Sequence, residues 1–156
     1  AGSPNVVDTA TPTIEGTTPT PRPTSSGAGT VREGVDVFAL CDNPTLGPGA
    51  PTDLAAGSTI DIFWAWIVSD EQYVDEHLEN VIYEVRVNGE LLQLPVREQG
   101  SNYAIYWFVP FGPLQPGEYR ITYRATWEAR IFDGWEFFGP GTRNPIEEGT
   151  CTFTVQ

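Results

Sequence analysis

The stretch at residues 113–128, PLQPGEYRITYRATWE, restricts the fold more than any other part of the chain. After a Pro116-Gly117 turn, Tyr119, Ile121, Tyr123, Ala125 and Trp127 alternate with Arg120, Thr122, Arg124, Thr126 and Glu128. A period of two, apolar on one side and polar on the other, is the pattern of a half-buried strand. Its aromatic face needs a second layer of strands to cover it, which predicts a two-layer all-β fold rather than a helical one.

Other segments repeat the pattern. Residues 35–41 alternate up to Cys41, and the Pro- and Gly-rich DNPTLGPGAPTD after them is expected to be loop. Residues 59–68 place Ile60, Ile62, Trp64, Trp66 and Val68 on one side and Phe63, Ala65 and Ile67 on the other. Residues 103–109 are likewise apolar on both sides, and a strand of that kind is either covered twice or has one face awaiting a partner. Asn88-Gly89 between apolar alternations predicts a tight hairpin, since both positions tolerate positive φ. A further hairpin-like turn is expected at Asp133-Gly134 within residues 131–138, followed by a loop at residues 139–149 and a last strand at residues 150–155. At residues 69–80 the period changes: Ser69 and Gln72 have capping-box spacing, and Tyr73, Val74, His77, Leu78 and Val81 recur at helical intervals. The expectation is about eight strands, one short helix and no internal repeat.

Residues 1–30 differ in composition. They are rich in Thr, Pro, Ser and Gly, and Pro12, Pro19, Pro21 and Pro23 favour extended conformations, so an extended tail or linker precedes a domain at residues 31–156. Val6, Val7, Ala10 and Ile14 are its candidate contacts with a neighbouring subunit, and Thr11, Thr13, Thr17, Thr18, Thr20 and Thr24 are candidate O-glycosylation sites. A solvated spacer is the competing reading of the same residues.

With 21 acidic residues against 8 basic ones, all of them Arg, the chain is a poor match for nucleic acid or an anionic membrane surface. No apolar run approaches the ~18 residues of a membrane span, so membrane insertion is not expected. The two cysteines, Cys41 and Cys151, stand near the two ends of the domain, which suits a disulfide and an oxidising compartment; two buried thiols are the alternative. The expected location is therefore extracellular or at the cell surface, with a signal peptide removed before Ala1.

Leu114, Pro116, Gly117, Tyr119, Ile121 and Tyr123 together resemble the late strand of immunoglobulin-like β-sandwiches. With the acidic, Thr/Pro-tailed context, residues 35–156 resemble immunoglobulin-like modules of bacterial surface and secreted proteins. The resemblance implies an antiparallel sandwich in which Tyr119 hydrogen-bonds back across the entry corner. It departs from the antibody pattern in that Cys41 and Cys151 would tie the first strand to the last.

Candidate chemistry is sparse. The single histidine, His77, is flanked by Asp75, Glu76 and Glu79, with Asp70 and Glu71 nearby. A metal site is one reading; carboxylates favouring the start of a helix, with His77 on the Tyr73 stripe, is the stronger one. With one His and both Cys accounted for, no nucleophilic constellation forms, and no catalytic residues, metal or cofactor are expected. Trp135, Phe137 and Phe138 around Asp133-Gly134 are candidate sugar-stacking residues, whereas Trp64, Trp66, Trp107 and Trp127 lie in strand patterns and are expected in the core. The expected role is a non-enzymatic structural subunit of a pilus-like filament or surface assembly. Its tail would pack on, or donate a strand to, another copy; a stalk-tethered carbohydrate-binding or adhesive module is the alternative.

Overall fold

The structure is a computed structural model that describes residues 29–93 and 95–156. Among the described residues it contains β1 (Val35–Phe38), β2 (Ile60–Ile67), α1 (Gln72–Asn80), β3 (Val81–Val87), β4 (Glu90–Leu91), β5 (Val96–Ser101), β6 (Ala104–Phe111), β7 (Gly117–Trp127), β8 (Ile131–Phe132), β9 (Phe137–Phe138) and β10 (Ile146–Val155). One sheet has the order β1-β2-β6-β5, a second the order β10-β7-β3-β4, and β8 with β9 forms a small hairpin. Every pairing is antiparallel except that of β1 with β2, which is parallel. The chain is therefore mostly β, with one short helix.

The alternation in the sequence assigns the faces. Ile60, Ile62, Trp64 and Trp66 of β2 point inward with Ile105, Trp107 and Val109 of β6 and meet Val85, Val87, Ile121, Tyr123, Ala125 and Trp127 from the second sheet. Trp64 lies 5.1 Å from Tyr83 and 5.3 Å from Tyr123 across the inter-sheet space, and Trp107 lies 4.9 Å from Tyr83. Tilted and edge-on aromatic pairs of this kind add about 0.5–1.5 kcal/mol each beyond their area burial. Among the described residues the indole N–H of Trp66 finds no hydrogen-bond partner, a cost of about 1–3 kcal/mol.

The sheets are joined covalently where β1 ends. Cys41 bonds Cys151 of β10, closing 110 residues of chain, and the chain-entropy model gives such a loop about 5 kcal/mol. The next residue continues the clasp. The Asp42 N–H donates to the Thr150 carbonyl at 3.0 Å, while Thr152 N–H (3.1 Å), Thr152 O–H (3.0 Å) and Thr150 O–H (2.7 Å) donate to its carboxylate. Asp42 thus occupies ladder positions that β10, at the sheet edge, would otherwise leave open. Partial burial pushes its carboxyl up, but the bonds from Thr150 and Thr152, with the Arg120 charge, outweigh that and hold it below the usual range.

Three expectations need correction. The helix begins at Gln72 with Glu71 at its N-cap and no side-chain cap, so the Ser69 capping box does not form; Ser69 N–H instead donates to the Asp133 carbonyl at 2.8 Å. The last strand starts at Ile146 rather than residue 150, because Ile146, Glu147, Glu148 and Gly149 continue the register opposite Thr126, Ala125, Arg124 and Tyr123. A strand not expected at all, β5, pairs with β6 at the sheet edge; its VREQGS carries no period. The hairpin at Asn88-Gly89 does form, with φ of 50° and 88°, and Asn88 is clamped to Arg120 by N–H···O contacts in both directions at 2.8 Å.

Candidate functional site

Two surface features stand apart from an ordinary solvated exterior, and one buried cluster bears on the metal question. The first feature is the tip made by β8, β9 and the loop after them. Asp133 Oδ1 accepts the N–H groups of Trp135 (2.7 Å) and Glu136 (2.8 Å), an Asx-type turn that fixes the backbone. Gly134, at φ 105° and packed against Ser69, lets the chain reverse there. Opposite it, Asn144 Nδ2 donates to the Phe137 carbonyl (2.9 Å) and to Glu136 Oε1 (3.2 Å), while Gly139 N–H donates to the Asn144 carbonyl (2.9 Å). Side chain and backbone of Asn144 therefore tie the loop to the hairpin.

This scaffold presents Trp135 outward, 64 % exposed, beside Phe137, while the four other tryptophans of the chain are buried. Arg130 lies over the Phe137 ring, its Cζ 4.7 Å from the centroid. Between them opens a concave site of about 370 Å³, lined also by Glu136, Gly141, Thr142, Arg143 and Asn144. Phe138, the third aromatic singled out in the sequence, faces the other way, packing 5.0 Å from Trp66 and 5.3 Å from Trp127. Arg130, Glu136, Arg143 and Asn144 were not anticipated; residues 139–149 read as bare loop, and only the close spacing of Arg143 and Asn144 to the aromatic run hinted otherwise.

The second feature is the outer face of the β1-β2-β6-β5 sheet. Phe38, Phe63, Phe108 and Val96 stand opposite one another in register across all four strands. Phe38 and Phe63 are 5.5 Å apart and Phe63 and Phe108 6.1 Å, so the row is continuous. The three Phe rings are half-buried, while Val96 and Ile67 are exposed. The outward positions anticipated as apolar on β2 and β6 thus form an aromatic stripe that is partly exposed to solvent, with the loop at Gly47 packed on its Phe38 end.

His77 turns out to be a core residue. The Trp127 indole N–H donates to His77 Nδ1 at 2.9 Å, and since an indole can only donate, Nδ1 carries the lone pair. The imidazole is then the neutral Nε2–H form, and Nε2 donates to Tyr83 Oη at 2.7 Å. Trp66 stacks on the ring at 4.0 Å and 4°. Burial pushes the His77 pKa down to about 3. Asp75, Glu76 and Glu79 are exposed on the other side of α1, and among the described residues no three His, Cys, Asp or Glu side chains converge as a metal site. From Tyr83 the polar groups continue to Tyr123, whose O–H donates to Glu147 Oε1 at 3.2 Å. Burial raises both tyrosines well above their ordinary value, and it also raises Glu147.

Cys41 and Cys151 form the disulfide, which is compatible with an extracellular protein. Val6, Val7, Ala10 and Ile14, and Thr11, Thr13, Thr17, Thr18, Thr20 and Thr24, lie outside the described residues. No described helix is long and apolar enough to cross a membrane. Comparison of the chain with protein-family models, with curated proteins and with solved structures gave no match.

Proposed function

We propose that this chain is a structural subunit of an extracellular filament or surface assembly, in which residues 1–28 of one copy cover the outer face of the β1-β2-β6-β5 sheet of the next. The observation that carries this reading is the aligned row Phe38, Phe63, Phe108 and Val96, in which the loop at Gly47 packs on the Phe38 ring and the row runs out to an exposed Val96. The occupant is argued from the chain itself. Val6, Val7, Ala10 and Ile14 precede Gly29 by enough residues that the intervening chain, fully extended, spans at least ~50 Å and so reaches a neighbouring domain.

An immunoglobulin-like assignment of the domain is part of this proposal. In its favour, the strand orders β1-β2-β6-β5 and β10-β7-β3-β4 follow the chain in the sequence A-B-E-D and G-F-C-C′. The Gln115 N–H also donates to Tyr119 Oη at 2.8 Å, the bond of a tyrosine corner at the start of β7. Against it stand the parallel β1–β2 pairing and the position of the disulfide.

The test is removal of residues 1–28, keeping Thr30, which bridges Leu54. The truncated protein is expected to fold as a monomer and to form no fibres by electron microscopy, and Ile67→Asp in the full chain is expected to have the same effect. Fibres from the truncated protein would overturn the tail assignment. A second reading, carbohydrate binding at the hairpin tip, is favoured by one observation: Trp135 is held exposed on a rigid turn.

A further inference from the structure

We infer that the tip site between Trp135, Phe137, Arg130 and Arg143 binds a carboxylate-bearing sugar, a hexuronate or sialic acid unit of a glycan. The inference rests on the carbohydrate reading of the tip and specifies its ligand. An exposed indole on a turn fixed by Asp133 offers a flat apolar surface to the C–H face of a sugar ring, at little entropic cost because its backbone is already held. The site's volume of about 370 Å³ falls within the ~300–1,000 Å³ of small-ligand sites.

The charge at the site is what narrows the ligand. The protein has a formal net charge of −13, so its general field repels anions, yet this one cavity is lined by two guanidinium groups and a single carboxylate. Among the described residues neither Arg130 nor Arg143 is in a salt bridge. Arg130 lies with its Cζ over the Phe137 ring and carries a planar fork of N–H donors. A planar fork of that kind matches a carboxylate. Glu136 is oriented by Asn144, and its carboxylate suits sugar hydroxyls as donors. An acidic peptide would satisfy the arginines but would make no use of a hydroxyl acceptor beside them.

The experiment titrates the full chain with tetragalacturonate, its methyl-esterified counterpart, a sialylated and a neutral oligosaccharide panel, and an Asp/Glu-rich peptide, followed by calorimetry and Trp fluorescence. Trp135 is the exposed tryptophan, so a fluorescence change reports this site. At least one carboxylated sugar is expected to bind, with a loss of about tenfold or more on esterification or in Arg143→Gln, weakening as salt rises. Trp135→Ala is expected to abolish binding with the melting temperature unchanged. Equal binding of acid and ester would overturn the carboxylate inference and leave the carbohydrate reading standing. Binding of neutral sugars alone would do the same. Binding of the peptide and of no sugar, or of nothing, would overturn both.

Discussion

Acid should destabilise this domain through His77, and the size of that contribution follows from where the ring sits. Unfolded, its imidazole titrates near 6.5; folded, burial holds it at about 3, because a proton on Nδ1 would face the Trp127 N–H inside an aromatic box. A base whose folded pKa is depressed contributes stability that is fully present above its unfolded pKa and is lost as pH falls toward the folded one. The window is therefore pH 6.5 down to about 3. At ~1.36 kcal/mol per unit, going from about pH 7.5 to about pH 4.5 removes roughly 2.5–3 kcal/mol, a large part of the ~5–15 kcal/mol total of a typical domain. Urea denaturation at the two pH values, on wild type and on His77→Gln, measures it. The variant loses the Trp66 stack and is less stable at about pH 7.5, by about 2–4 kcal/mol for the poorer fit, but it lacks the His77 loss, so most of that gap should close by about pH 4.5. Glu147 contributes with the opposite sign, its raised pKa relieving the folded state as pH falls, and Asp42 with the same sign as His77. Both are present in the two proteins and cancel in the difference. Equal pH losses in wild type and variant, or an imidazole signal titrating near 6.5 in the folded protein, would refute the reasoning.

At high pH the buried tyrosines act in the other direction: their folded pKa values are raised, so stability is lost as pH climbs past the ordinary 10.0, and of the six tyrosines Tyr83 and Tyr123 should show tyrosinate absorbance only on unfolding. Replacing Cys41 and Cys151 together by Ala should cost about 5 kcal/mol in chemical denaturation, given the 110-residue loop they close; a cost below about 1 kcal/mol would mean the unfolded chain is already compact. Gly149→Ala would bring its Cβ to 2.7 Å from Leu40 Cδ2, itself buried, and should cost about 1–3 kcal/mol by overpacking, read as a lower urea midpoint at unchanged m.

Period-two alternation made β2, β3, β6 and β7 legible, since each buries one full set of apolar side chains. The first half of β10 was not, and the reason lies in two residues. Glu147 and Gly149 occupy inward positions where an apolar side chain would be expected: Glu147 reaches Tyr123 Oη, and Gly149 leaves room for Leu40. β5 was hidden because an edge strand is held by backbone pairing to β6 and carries charge at Glu98. For His77 the exposed acids beside it suggested a ligand set, whereas the stripe shared with Tyr73 gave the correct face; what no local pattern shows is that Trp66, Tyr83 and Trp127 come from three different strands to enclose it. At the tip, Trp135 was legible as an aromatic near a turn. The arginines were not, because Arg130 and Arg143 lie on opposite sides of the hairpin in sequence and are brought together by Asn144.

The outer faces of the two four-stranded sheets are unequal, and this bears on where contacts can form. On the β10-β7-β3-β4 sheet the outward residues include Arg120, Thr122, Arg124 and Thr126 of β7, Glu84 and Arg86 on β3 and Glu148, Thr150, Thr152 and Thr154 on β10, with exposed Ile82 and Ile146 beside Thr126 at one end. Mixed charges and hydroxyls keep such a face hydrated, and covering it would require desolvating several of them without partners. The opposite face carries Phe38, Phe63, Phe108 and Val96 in one row, with Asp36 and Asp61 on one side of it and Glu98 on the other, so covering the row itself gains ~25 cal/mol for each Å² removed from water. An interaction through a sheet face is thus favoured along the Phe row. Charge substitutions separate the two faces experimentally: Arg124→Glu is expected to leave assembly intact, Val96→Asp to abolish it, and the reverse result by electron microscopy would move the contact to the hydrated face.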